Sequence, residues 1–186
     1  MRDKSSRFNP SRKLTTYLRH RSDLSRDDHG FVSFADLMKY DKIFTVDLLL
    51  EIAQDHQRYI LNSDATAIKC HQGHSVPTVL SGRPLDAETY IAHGTNIKSL
   101  AAITASGLSR MARTHIHFCS GASIQEVVNN VKNKGKTHAN CIIVMDTNKC
   151  RQSGIEFTIC ENGTVLSPGN DQGYIPPDCI YRVIRL

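Results

Sequence analysis

The order of apolar patterns along this 186-residue chain predicts an α+β protein of two lobes. Three helical-period segments and a hairpin lie before about residue 70, and a Pro- and Gly-bearing stretch follows. The remainder is short apolar strands separated by glycine turns, without regular βαβ alternation. From Ser11 to His20, Leu14, Tyr17 and Leu18 fall at helical spacing, and Arg19 and His20 close the segment where unpaired carbonyls favour cations. Gly30 punctuates the chain before Phe31-Val32, and Ser33-Phe34-Ala35-Asp36 has capping-box spacing. Thr45 to Asp55 reads as another helix, with Val46, Leu49, Leu50 and Ala53 inward. Tyr59-Ile60-Leu61 and Ala67-Ile68-Lys69-Cys70 read as strands around an Asn62-Ser63-Asp64 turn. Short helices followed by a hairpin describe a winged-helix-like lobe over residues 1–75. Residues 76–88, with Pro77, Gly82 and Pro84, read as a linker to a second lobe at 89–186. There, Tyr90-Ile91-Ala92 suggests a strand, and Leu100, Ala101 and Ile103 a helix ending before Gly107. Ile116–Cys119 reads as a strand, and Cys141–Met145 is the clearest buried one. Further strands are expected around Phe157, Val165-Leu166 and Ile180–Ile184.

Composition narrows the function classes. No apolar run approaches the roughly 20 residues that span a bilayer, and Met1-Arg2-Asp3-Lys4 is not followed by a signal-peptide core, so a cytoplasmic or nuclear protein without membrane attachment is expected. The six cysteines, at 70, 119, 141, 150, 160 and 179, form no C-x-x-C pair or zinc-finger spacing; reduced, mostly buried thiols and no metal are expected. The formal net charge is +5, and residues 61–138 carry eight Lys/Arg against four Asp/Glu, including Lys132, Lys134 and Lys136. Such a surplus attracts polyanions, although it also describes an ordinary solvated face.

No G-x-G-x-x-G or G-x-x-x-x-G-K-[ST] segment is present, which excludes the usual Rossmann and P-loop ways of holding a nucleotide. His93-Gly94-Thr95 follows a strand: the glycine lets backbone approach a ligand, and Thr95 offers a donor and an acceptor. His115 and His117 alternate around Ile116, so a strand turns both away from the side that Ile116 faces. Arg19, Lys69, Arg113 and Lys136 are cations suited to phosphoryl oxygens, with His20 a donor whose charge is tunable near neutral pH. Each alone describes a surface residue; their local frames taken together describe a site. Arg19-His20 ends an amphipathic helix, Lys69 ends a strand just before Gln72-Gly73-His74-Ser75, and Lys136 precedes a core strand.

These segments, in order, resemble the NAD-dependent RNA (tRNA) 2′-phosphotransferase family. The resemblance is carried by Leu18-Arg19-His20, Asp28 to Val32, Ile68 to Ser75, His93-Gly94-Thr95, Gly107-Leu108, Arg113 to His117 and Glu161 to Gly169, and it covers about residues 10 to 180. It implies a winged-helix lobe and an ADP-ribosyltransferase-like lobe, with NAD consumed as co-substrate, no metal, and a monomer acting on 2′-phosphorylated RNA such as spliced tRNA. The implied reaction transfers an internal RNA 2′-phosphate to NAD, giving 2′-hydroxyl RNA, nicotinamide and ADP-ribose 1″,2″-cyclic phosphate. The implied catalytic set is Arg19, His20, Lys69 and Lys136; the last two stand where the family has arginine, keeping charge but losing the planar fork. The implied NAD-binding residues are His74, Ser75, His93, Gly94, Thr95, Arg113, His117, Asn162 and Gly163. The two lysines leave two alternatives: NAD-dependent ADP-ribosylation of nucleic-acid phosphate ends, or a catalytically weak RNA-binding descendant.

Overall fold

The computed structural model describes residues 9–133 and 139–186, and the chain divides into two compact units, Met1–Leu80 and Ser81–Leu186. In the first unit, α1 (Pro10–His20) starts with proline after an Asn9 cap whose side chain accepts from the Arg12 N–H, a combination suited to an orphan-donor end. A two-residue strand, β1 (Val32–Ser33), leads into α2 (Phe34–Tyr40), where Ser33 Oγ accepts from Asp36 N at 3.0 Å, as the capping-box spacing predicts. Thr45 caps α3 (Val46–Ala53) in the same way. Of its four residues expected inward, Leu49 and Ala53 are buried and Leu50 partly so, whereas Val46, in the first turn, is 45% exposed. The hairpin strands β2 (Tyr59–Leu61) and β3 (Ala67–Cys70) form where expected, and β3 also pairs with β1, giving an antiparallel sheet of order β1-β3-β2. Leu14, Leu18, Val32, Leu37, Leu49 and Ile68 pack into one core beneath this sheet and the helices.

The second unit is built on a seven-stranded antiparallel sheet. Its strands are β4 (Gly82–Pro84), β5 (Tyr90–Thr95), β7 (Ile116–Gly121), β8 (Cys141–Met145), β9 (Thr158–Cys160), β10 (Thr164–Ser167) and β12 (Ile180–Arg185), in the order β12-β8-β5-β7-β10-β9-β4. A separate two-stranded pair joins β6 (Leu108–Ser109) to β11 (Tyr174–Ile175). Among the described residues, three α-helices accompany them: α4 (Leu100–Ser106), α5 (Ile124–Asn133) and α6 (Thr147–Gln152). All of β8 is buried because both faces of the sheet are covered. Ile142 and Val144 pack with Val127, Val128 and Val131 of α5, while Cys141, Ile143 and Met145 enter the core on the other face with Ile91, Ile116 and Phe118. The fold is thus α+β with antiparallel sheets. It contains elements that the local pattern does not announce: β4, which lies inside the stretch read as a linker and pairs with β9, and the helices α5 and α6.

Among the described residues no disulfide joins the six cysteines, five of which are buried. Among the described residues, no helix is long and apolar enough to cross a membrane, and no group of three or more His, Cys, Asp or Glu side chains is placed to hold a metal ion.

Candidate functional site

The predicted site residues fall into two groups, one in each unit. In the first, burial of Leu14 and Leu18 fixes the face of α1 and sets Arg19 and His20 in its last turn. The segment after β3 folds back onto that turn: Ser75 N–H donates to Arg19 O at 3.0 Å, and Ser75 Oγ lies 2.9 Å from His20 Nδ1 in a hydrogen bond. Gly73 permits this approach. Its φ is +90°, and a Cβ there would lie 3.1 Å from the Cζ and Nε of Arg19. The Arg19 Nε is buried and has no hydrogen-bond partner among the described residues.

Two further groups stand behind the dipeptide. Lys69 is only 5% exposed; its Nζ donates to His29 O at 2.9 Å and sits 4.6 Å from the centre of the Phe31 ring. The lysine charge is therefore held by a carbonyl and an aromatic face. His74 is 2% exposed, and burial, reinforced by Arg19, Arg26, His20 and Lys69, pushes its pKa down to about 4, so its imidazole is neutral at neutral pH. Burial also pushes the Cys70 thiol up to about 11, against the opposing pull of Arg19 beside it. The arrangement gathers the cationic side chains of Arg19 and Lys69 near His20 and a neutral imidazole, a chemistry suited to an anion.

The second group lies where the large sheet opens. Pairing of β5 with β7 ends at Ala92↔Cys119, whereas β5 continues along β8 through His93↔Ile143, Gly94↔Ile142 and Thr95↔Cys141. On the other side, β7 stays paired with β10 as far as Ser167↔Ile116. His93 to Thr95 and Ile116 to Phe118 are thus the two lips of a fork. Across it, His93 Nδ1 donates to His117 O at 2.8 Å, which places the proton on Nδ1. Asn140 holds the chain beyond Thr95: its N–H donates to Thr95 O at 3.1 Å, and its Oδ1 accepts from Ile97 N at 2.7 Å. Arg113 is exposed in the turn before β7, whose backbone is tied by Arg113 N to Arg110 O at 3.1 Å and by Arg110 Nη1 to Arg113 O at 2.8 Å. Next to it, half-buried His115 bonds Thr114 Oγ1 at 2.9 Å, and burial followed by the Arg110 charge lowers its pKa.

Not every predicted residue joins these groups. His74 and Ser75 lie with Arg19 and His20 in the first unit. Asn162 and Gly163 form the β9–β10 hairpin turn, where Thr164 N donates to Asn162 Oδ1 at 3.1 Å and Ser120 Oγ donates to Gly163 O at 3.0 Å. They therefore lie at the end of β10 away from Ser167 and the fork. Lys136 lies outside the described residues. A groove of about 980 Å³ at the far end of β5, beside Tyr90, Met145, Asp146 and Tyr181, contains none of the predicted site residues. Sequence reasoning missed Arg26 and Asn140: Arg26 bonds main-chain carbonyls two to eight residues before it, in an irregular loop without periodicity, and Asn140 bonds the backbone of Ile97, 43 residues earlier.

The sequence model of the RNA 2′-phosphotransferase, Tpt1 / KptA family matches residues 5–169. Among curated relatives, tRNA 2′-phosphotransferase 1 of Danio rerio is 30% identical over 194 residues, covering 95% of this chain and 84% of the relative. A probable RNA 2′-phosphotransferase of Burkholderia pseudomallei is 31% identical, with 89% and 92% covered. The Mus musculus tRNA 2′-phosphotransferase 1 is 28% identical, with 85% and 72% covered.

Proposed function

The chain belongs to the RNA 2′-phosphotransferase, Tpt1 / KptA family, and from that premise we propose that it transfers an internal 2′-phosphate of RNA, as at a tRNA splice junction, to NAD. The products are 2′-hydroxyl RNA, nicotinamide and ADP-ribose 1″,2″-cyclic phosphate. On this reading the first unit is a winged-helix-like module that receives the RNA phosphate, and the second is an ADP-ribosyltransferase-like module that receives NAD. The observation that carries the assignment is the Arg19 guanidinium, in contact with Cys70, set against Gly73 and beside His20–Ser75, its buried Nε having no hydrogen-bond partner among the described residues. A guanidinium already packed against the chain loses less freedom when a phosphate arrives.

The residues present fit both ligands. Arg19 and His20 donate to phosphate oxygens, and neutral His74 supports them from beneath. Lys69 adds charge from behind while holding the His29–Phe31 backbone, and so acts by field and by support rather than by a bidentate grip. Lys136 supplies the fourth cation. At the fork, the backbone of His93, Gly94 and Thr95 no longer pairs with β7, which leaves an edge suited to the amide and ribose groups of a dinucleotide. His93, oriented by His117 O, and exposed Arg113 flank that edge. NAD, when bound, supplies a ribose carbon whose nicotinamide departs. The protein holds the phosphate charge in place and spreads stabilising donors over its oxygens.

The test is to incubate the full chain with an internally 2′-phosphorylated RNA, with and without NAD, following RNA mass and nicotinamide release together. Conversion to the 2′-hydroxyl only with NAD, matched by nicotinamide, is the expected result. Equal dephosphorylation without NAD removes the proposed class, and a stable ADP-ribosylated RNA end in place of the 2′-hydroxyl assigns the chain to phosphate-end modification.

A further inference from the structure

We propose that Arg26 is a positioning residue of the phosphate site, its guanidinium pinning the carbonyl end of α1 on both sides of Arg19-His20. The inference rests on the phosphate reading of that dipeptide. A helix ends with four carbonyls that lack an intrahelical donor, and how they are satisfied sets the direction of the last side chains. In α1, Tyr17 O accepts from Arg21 N at 3.2 Å and Arg19 O from Ser75 N at 3.0 Å. Leu18 O accepts from Arg26 Nη2 at 3.0 Å, while Arg26 Nη1 reaches Arg21 O at 3.0 Å and Leu24 O at 2.9 Å. One planar group therefore grips Leu18 and Arg21, the residues immediately before and after the dipeptide.

This arrangement is more than a helix cap. A cap needs one donor on one carbonyl, whereas here the spread of the two terminal nitrogens fixes the chain exit relative to the last turn. All three hydrogen bonds go to main-chain oxygens, so the charge brings in no bonded carboxylate, although Asp23 lies within its field. Arg26 thus adds to the positive potential felt by His74 together with Arg19, His20 and Lys69. A lysine keeps the charge but cannot hold separated carbonyls in one plane. Charge and positioning are therefore separable by substitution.

The experiment uses the full chain with Arg26→Gln and Arg26→Lys, adenosine 2′-monophosphate as the probe, and calorimetry alongside NMR titration of His20 and His74. For Arg26→Gln, probe binding should weaken about tenfold or more, and the His74 midpoint should rise because a neighbouring cation is gone. For Arg26→Lys, the His74 midpoint should stay put while probe binding still weakens several-fold. Full recovery of binding in Arg26→Lys overturns the positioning role and leaves only charge. Wild-type binding in a folded Arg26→Gln overturns the inference altogether; if that variant does not fold, the lysine variant decides alone. Failure of the unmodified chain to bind the probe instead overturns the phosphate reading, and is seen before any variant is compared.

Discussion

Gly73→Ala tests whether the fold prearranges Arg19. Two costs attach to the new methyl group. The first is backbone: at φ +90° an L side chain is strained, worth about 1 to 2 kcal/mol. The second is local: the Cβ arrives 3.1 Å from Arg19 Cζ and Nε, and the guanidinium, at the end of a flexible chain, retreats by a few tenths of an ångström or more. Stability registers mainly the first cost, because the guanidinium moves more easily than backbone. Phosphate transfer registers the second, since displacing a preset donor by up to about 1 Å lowers a rate by about 10- to 100-fold. Gly154→Ala is the matched control, with φ +73° and no neighbour within 4 Å of a new Cβ. Both variants should lose about 1 to 2 kcal/mol in urea unfolding. Only Gly73→Ala should also lose single-turnover rate on 2′-phosphorylated RNA when compared at equal folded fraction. An unchanged rate in Gly73→Ala, with the expected stability loss present, refutes the claim that the Arg19–Gly73 contact sets the site.

Other outcomes follow from the same geometry. His74 is held near pKa 4 by burial and nearby cations, against an ordinary 6.5. Between those values the unfolded chain binds a proton that the native chain refuses, so stability is full above about pH 6.5 and falls as pH drops, by a total of about 3 kcal/mol. Urea unfolding at pH 7.5 and 4.5 should show that loss, and His74→Gln should flatten it; the same loss in both proteins removes His74 as its source. Lys69→Met keeps bulk but strands His29 O and takes the cation from Phe31, and should cost about 1 to 3 kcal/mol by denaturant melt. A loss below about 0.5 kcal/mol means that Lys69 does not anchor that segment. Ser75→Ala removes an exposed partner of His20, so stability should change by less than about 1 kcal/mol while transfer slows several-fold. An unchanged rate together with unchanged His20 NMR shifts contradicts the orienting role of Ser75.

The sequence by itself determined what local chemistry controls. Leu14 and Leu18 recur at helical spacing, so α1 and the placement of Arg19-His20 at its end are readable without a partner. The apolar run Cys141–Met145 and the hairpin around Asn62 are likewise local. The ordered motifs identified the family because their sequence carries the chemistry even where the geometry is unknown. The Val127, Val128 and Val131 stripe of α5 does not announce a helix by itself, because the intervening asparagines are poor helix formers and the helix stands on its packing against β5 and β8. The three residues of β4, with glycine and proline at its ends, become a strand only because β9 supplies its hydrogen bonds. Tertiary structure alone decided that Ser75 reaches a histidine 55 residues earlier, that Asn140 accepts from Ile97 43 residues earlier, and that His74 is buried neutral among cations. It also decided that β5 and β7 part after Ala92, leaving Asn162-Gly163 at the other end of β10. Hydrogen bonds between segments far apart in the chain, and the desolvation they accompany, depend on what is brought into contact; no periodicity in a single segment encodes them.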